Sequence, residues 1–292
     1  MSRRAWVELL VLSALWGVVY LLIEITLREL SPVLVVLGRV ALAALLLTPL
    51  AITRGALRPL RKRPRAVIET VLVQATAPLL LLTFGQRYVS SGLAGILTGA
   101  QPLFVALLAV RFAPDQRPNG WRGVLGIVLG LLGLIALFGI DLRDGHGALL
   151  GGLFVVTAAV CYAAGALMIH RRLSDAEPLG VATSAMLVST VALAIPGVFS
   201  LPDHLPGLPV AAALLALGVV CTGFTLVLFY TLIAQSGPAH AALAFYLSPG
   251  FAVLFGTVFL HEKPSVTTVL GLVAIVVGAA LASRTQKSPG AT

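Results

Sequence analysis

The stretch GLAGILTGAQPLFVALLAVRF, Gly92 to Phe112, decides the reading of this chain. It is apolar over about the 20 residues that a bilayer core requires. Gln101-Pro102 interrupts it in the middle. Proline has no N–H to donate and its ring crowds the preceding turn, so a helix here is predicted to bend or open. The design returns as AHAALAFYLSPGFAVLFGTVFL, Ala239 to Leu260, with Ser248-Pro249 at its centre. An acidic residue follows each stretch, Asp115 and Glu262. Both pairs of markers lie 147 residues apart (249 − 102 and 262 − 115). Gln86 and Gln235 precede the two stretches, 149 apart (235 − 86). Two broken helices at matching places in two halves of a chain point to the binding site of a transporter.

Composition agrees. Of 292 residues, 59% are hydrophobic and 11% charged, and the mean hydropathy is +1.02. Soluble domains carry about 25% charged residues, so the bilayer is the solvent here. The net charge of +9 does not indicate nucleic acid, because the bases sit in short segments between apolar runs. Ten spans follow from the hydropathy: Trp6–Leu27, Pro32–Ile52, Val67–Phe84, Gly92–Phe112, Trp121–Ile140, Gly147–Ile169, Leu179–Phe199, Pro209–Ala234, Ala239–Leu260 and Val266–Ser283. With the N-terminus inside, Arg3, Arg4, the six bases from Arg54 to Arg65, Arg171 and Arg172 all face the cytoplasm, whereas Arg28, Arg87, Arg143 and Lys263 face out. Basic segments stay on the cytoplasmic side, so both termini are placed there.

Further pairs support a duplication. Trp16-Gly17 lies over Tyr162-Ala163 and Ser31-Pro32 over Glu177-Pro178, both at a shift of 146 (162 − 16 and 177 − 31), and Gly126 and Gly133 over Gly271 and Gly278 at 145 (271 − 126 and 278 − 133). The expected fold is an all-α integral membrane protein of ten transmembrane helices, built as two five-helix repeats. The repeats are residues 1–145 and 146–283, with a cytoplasmic tail at 284–292. Five is odd, so the second repeat enters the membrane inverted. Gln101-Pro102 and Ser248-Pro249 are then predicted to face each other from helices running in opposite directions.

The motifs Trp16-Gly17, Arg39, Ser90-Ser91-Gly92-Leu-Ala-Gly95 … Pro102 … Asp115 and Pro238-Ala-His-Ala-Ala242 … Pro249 … Glu262-Lys263 resemble the EamA family of the drug/metabolite transporter superfamily over nearly the whole chain. In that pattern Asp115-Gln116 departs, since a Glu is usual there. The resemblance implies alternating access through a central cavity, with no cofactor and no chemical conversion. Within the superfamily, the length and ten-span plan look like the aromatic amino-acid exporters. A drug, organic-cation, nucleoside or sugar permease of the same fold is the alternative, and a receptor or scaffold a second one. The small-molecule substrate and the lipid bilayer are the expected partners, in a monomer with dimerisation the minor option.

Polar and aromatic groups deep in apolar spans nominate the cavity lining, because unsatisfied polar groups are costly in hydrocarbon. One cluster is Gln74, Thr76, Pro78, Thr98, Gln101 and Pro102; the other is Thr222, Thr225, Tyr230, Tyr246, Ser248 and Pro249; Trp16 and Tyr162 add one aromatic from each half. The expected substrate-binding set is Trp16, Arg39, Gln74, Thr98, Gln101, Pro102, Tyr162, Tyr230, Tyr246, Ser248 and Pro249. For the threonines and serines, helix–helix hydrogen bonds or bonds to their own preceding turn are the competing role. Arg39 lies about 10 Å inside the outer boundary at 1.5 Å per residue past Pro32. A charge there requires a partner or water: either a substrate carboxylate, or Glu24 as a structural clamp. Cys161 and Cys221, both in apolar runs, read as small packing residues rather than a disulfide or metal site. His261-Glu262 lacks the second histidine of a zinc motif. Gly126-x-x-x-Gly130-x-x-Gly133 reads as a close helix contact within the monomer. No nucleophile stands near a base, so no catalytic residue is nominated. No acid occupies a span centre, which gives no support to a midplane proton relay.

Overall fold

The computed structural model of the protein describes residues 3–113, 118, 120–140, 146–236 and 241–282. The expectations at Asp115 and Pro238, and for the tail at 284–292, lie outside the described residues. All regular elements among the described residues are helical. We number ten: α1 Arg3–Thr26, α2 Pro32–Thr53, α3 Pro64–Gly85, α4 Ser91–Phe112, α5 Gly120–Ile140, α6 His146–Arg172, α7 Pro178–Val198, α8 from Leu208 to Ser236, α9 Leu243–Leu260 and α10 Val266–Ala282. Among the described residues, α1 to α9 contain stretches long and apolar enough to cross a membrane, and α10 is a shorter apolar helix. The chain is a multi-pass membrane protein. Its helices are apolar on every face, as a lipid-immersed bundle requires. Leu45, Val191 and Ile195 leave 72%, 74% and 72% of their surface uncovered, which only lipid tails can cover without cost.

Local chemistry starts the helices where the sequence places them. The Ser31 and Ser90 hydroxyls accept from the Leu34 and Leu93 amides at 3.3 Å, each satisfying one orphan donor of a helix N-terminus. Pro32, Pro64 and Pro178 stand in the first turn, where a missing N–H costs nothing.

The helices pack in couples. α5 packs on α10, α2 on α7 and α4 on α9. Three further contacts have a counterpart five helices on: α1·α9 with α6·α4, α1·α8 with α6·α3, and α2·α8 with α7·α3. Glycines let α5 and α10 touch. A Cβ on Gly126 would lie 2.6 Å from the Gly278 carbonyl oxygen, and one on Gly133 3.2 Å from that of Gly271. The glycine run beginning at Gly126 therefore makes a contact inside the monomer.

The two faces of the bundle differ. On one, the Arg63 guanidinium meets the Asp175 carboxylate and donates to the Arg172 carbonyl at 3.2 Å, while Arg172 pairs with Glu69 at 2.8 Å. Arg63 holds the Asp175 carboxyl below the usual carboxylate range. On the other, Glu29 accepts from the Gly207 amide at 2.6 Å and Glu262 from the amides at the start of α4.

Candidate substrate cavity

Three helices lose their regular ladder in mid-membrane, and each loss has a chemical cause. In α3, Pro78 cannot donate to the Gln74 carbonyl. The ladder slips by one residue before it: Ala77 donates to Leu72, and Leu72–Thr76 forms a π-helical turn. In α8 a longer π segment, Ala216–Phe224, occupies the equivalent place. No proline follows there; instead the Thr222 hydroxyl donates to the Leu217 carbonyl at 2.7 Å and the Thr225 hydroxyl to that of Cys221 at 2.8 Å. Such turns concentrate at functional sites because they re-aim side chains. In α4, helix ends at Thr98 and resumes at Gln101, with Pro102 in its first turn. Leu103 donates to Ala100 at 2.9 Å, and Pro102 has nothing to give the Thr98 carbonyl.

The expected opening at the second proline does not occur. α9 runs as one helix through Pro249. The physical reason lies in the neighbour: Pro249 packs into the gap opened in α4, its Cγ only 2.5 Å from where a Gly99 Cβ would stand. One broken helix and one intact helix therefore interlock, in place of two opposed breaks.

Around these features lies a cavity of two joined lobes. Their cavity volumes are about 200 Å³ and about 300 Å³, the larger at the lower end of the range for small-molecule sites. The lobes share Trp16, Arg39, Gln74, Tyr162 and Leu226. The first extends between α6, α7 and α8 along Ile169, Val181, Ala185, Cys221, Thr222 and Thr225. The second extends between α1, α4 and α9 along Tyr20, Gly95, Thr98, Gly99, Gln101, Phe229, Phe245, Ser248 and Pro249.

Of the expected set, the structure brings together Trp16, Arg39, Gln74, Thr98, Gln101, Tyr162, Ser248 and Pro249. Pro102 lies one residue outside the lining, because its work is to start the second half of α4. Tyr246 faces the central core instead; its neighbour Phe245 points into the lobe. The side chain of Tyr230 lies outside the described residues.

Arg39 sits at the junction of the lobes. Its Nε donates to the Thr222 hydroxyl at 2.8 Å, and Tyr20, Tyr162 and Cys221 lie within electrostatic reach. Among the described residues no carboxylate lies within 4 Å of it, so the Glu24 clamp is not formed; Glu24 lies instead near Arg28 and Glu262. The two terminal nitrogens of Arg39 make no hydrogen bond to a described residue. This leaves a planar fork of donors suited to a carboxylate. Gln74 presses against α6, its buried Oε1 without a hydrogen-bond partner among the described residues and 2.3 Å from where a Gly165 Cβ would stand. At the far wall, Trp16, Phe229 and Phe245 form an aromatic cluster with ring centroids 4.7 to 5.9 Å apart, within the range of favourable ring pairs.

Some lining residues escaped the sequence. Phe229 and Phe245 are hidden among other apolar residues on helices without an amphipathic face. Tyr20 was missed as well; the signal that marks it is its place one turn after Trp16, on the same face. Thr76 serves structure, as expected for its residue type: its hydroxyl meets that of Ser189 at 2.8 Å across helices. Thr98 bonds the Ala94 carbonyl at 2.8 Å and lines the lobe as well.

The model of the EamA-like transporter family matches residues 4–139 and again 149–284. The chain belongs to the EamA-like transporter family. Relatives lie at modest identity: the uncharacterized transporter YoaV of Bacillus subtilis (25% over 270 residues, 91% of this chain and 92% of that protein) and the uncharacterized inner membrane transporter YedA of Escherichia coli K12 (27% over 255 residues, 85% and 80%). A third is the "probable terminal-alkyne amino-acid exporter" of Streptantibioticus cattleyicolor (27% over 290 residues, 97% and 94%). A crystal structure with 20% identity superimposes with a TM-score of 0.68, covering 97% of this chain and 98% of its own. That likeness shows a shared overall fold. The doubled family match accounts for the paired packing of α1–α5 and α6–α10.

Proposed function

We propose that this EamA-like protein exports small metabolites, amino acids and above all aromatic ones, across the cell inner membrane by alternating access. Arg39 carries the reading: a guanidinium at the centre of the bundle, at the junction of two lobes, with its fork unclaimed by any described carboxylate. A buried cation of this kind is stabilised by an anionic partner, and the substrate carboxylate supplies it. Gln74, Gln101 and Ser248 offer hydrogen bonds to the rest of the polar end. Trp16, Phe229 and Phe245 offer flat faces to the side chain. The doubled family match, the packing couples and the reciprocal glycine contacts support two repeats related by a two-fold axis. With five helices each, they run inverted in the membrane. The distribution of Lys and Arg supports cytoplasmic termini. The amino-acid exporter among the relatives supports the substrate class.

The test is flux in proteoliposomes with a panel of labelled amino acids, nucleosides and organic cations. Aromatic amino acids are expected to move. Organic cations moving while aromatic amino acids fail would overturn the reading, since Arg39 repels a cation at the point both lobes share.

A further inference from the structure

Between the second lobe and the face bearing Glu262 lies a thin wall where α4 crosses α9. Its contacts are backbone-close. A Cβ on Gly95 would stand 2.3 Å from the Ala252 methyl, and one on Gly92 3.4 Å from the Val253 Cα. Beyond the wall lies a separate polar recess lined by Ser90, Gly92, Val253, Thr257 and Glu262. The same two helices thus bound a cavity on one side and a recess on the other.

Glu262 pins the end of this crossing. Its two carboxylate oxygens accept from the Ser91 amide at 2.7 Å and the Gly92 amide at 3.0 Å. These are orphan donors at the positive end of the first half of α4. The chain is bent to deliver the carboxylate there. His261 adopts the left-handed conformation at φ 56°, and its own amide and that of Glu262 both return to the Gly256 carbonyl, the latter at 3.1 Å, so the helix ends on a left-handed residue. Gly256 leaves the space: a Cβ there would stand 2.4 Å from the carboxylate. At the 147-residue shift, Ser91 and Gly92 correspond to Pro238 and Ala239. Proline has no N–H, so the sequence does not offer the same pair of amides at those two positions.

We propose that the α4–α9 crossing is the passage between the cavity and this face, and that Glu262 is the latch holding it shut. The latch residue positions α4 and does not touch substrate. This inference rests on the transport reading for its purpose, and its test needs no substrate.

The test uses the full chain in proteoliposomes with Cys161→Ser and Cys221→Ala. Thr98→Cys reports from the second lobe and, in a separate protein, Leu9→Cys from a buried core away from the wall. A membrane-impermeant maleimide is added on the Glu262 side. Glu262→Gln removes the charge and one acceptor oxygen, and Gly256→Ala displaces the carboxylate without altering it. Both are expected to speed Thr98→Cys labelling by about tenfold or more, as loss of a charged hydrogen bond implies. Glu262→Asp is expected to restore part of the protection, and Leu9→Cys to remain unlabelled throughout. Unchanged labelling of Thr98→Cys, or equal labelling of both reporters, would overturn the latch. Faster labelling with no amino acid transported would leave the latch and remove the amino-acid reading; the converse pair of results would do the opposite.

Discussion

At the scale of single residues, the chemistry of Arg39 dominates. Its Nε is held by Thr222, whose own hydroxyl proton goes to the Leu217 carbonyl, so α8 aims the fork into the cavity. Arg39→Ala is expected to slow transport of a carboxylate-bearing substrate about tenfold or more, the loss expected for a charge-assisted hydrogen bond. Arg39→Lys should fall between, because a lysine keeps the charge without the fork. Initial flux of an aromatic amino acid and of its decarboxylated amine separates the roles: only the acid should depend on position 39. If both substrates respond alike, Arg39 supports the fold and not the carboxylate. His261 offers a second residue-scale prediction. Its left-handed backbone disfavours a β-branched side chain, so His261→Val should lower the thermal unfolding midpoint while His261→Gly should not.

At the scale of elements, the irregular turns decide which residues reach the cavity. The π turn at Leu72–Thr76 exists because Pro78 withholds a donor, and it sets the direction of Gln74. Pro78→Ala returns that donor. A regular α3 would rotate the preceding residues by about 100° per residue of slip, at 3.6 residues per turn, and carry Gln74 away from the junction. Transport is expected to fall while the protein remains folded, and a cysteine at position 74 should lose accessibility to a soluble thiol reagent. Gly165 bears on the same side chain from α6. Gly165→Leu should displace Gln74, with a drop in flux that Gly165→Ala reproduces only in part. Equal flux in all three proteins would show that the direction of Gln74 is immaterial.

At the scale of the molecule, the two repeats meet along α5–α10, α2–α7 and α4–α9. The first is the tightest and lies away from both lobes. Gly126→Ile places a branched chain where a Cβ already stands 2.6 Å from the Gly278 carbonyl. Overpacking of this kind costs about 1–3 kcal/mol. A lower unfolding midpoint in detergent is expected, with substrate preference unchanged. A change in preference without a change in stability would contradict this division of labour between α5–α10 and the cavity.

What the sequence determined by itself is the part of the fold that lipid dictates. A bilayer forces apolar spans of fixed length and puts prolines and serines at helix starts, and both are written linearly. The duplication was legible for the same reason, since Pro102 and Pro249 or Gly126 and Gly271 keep their spacing. The cavity was legible where a residue type is out of place in hydrocarbon: Arg39, Gln74, Gln101 and Trp16 all declared themselves. What only the tertiary structure decided is direction. On helices apolar all round, nothing in the pattern distinguishes Phe245, which lines the lobe, from Tyr246, which packs in the core. The π segments depend on which carbonyl finds a donor. The fate of each proline depends on its neighbour: Pro102 opens α4, and Pro249 fills that opening while α9 stays whole. Lipid sets where the helices lie along the chain, and packing between helices sets which way they face.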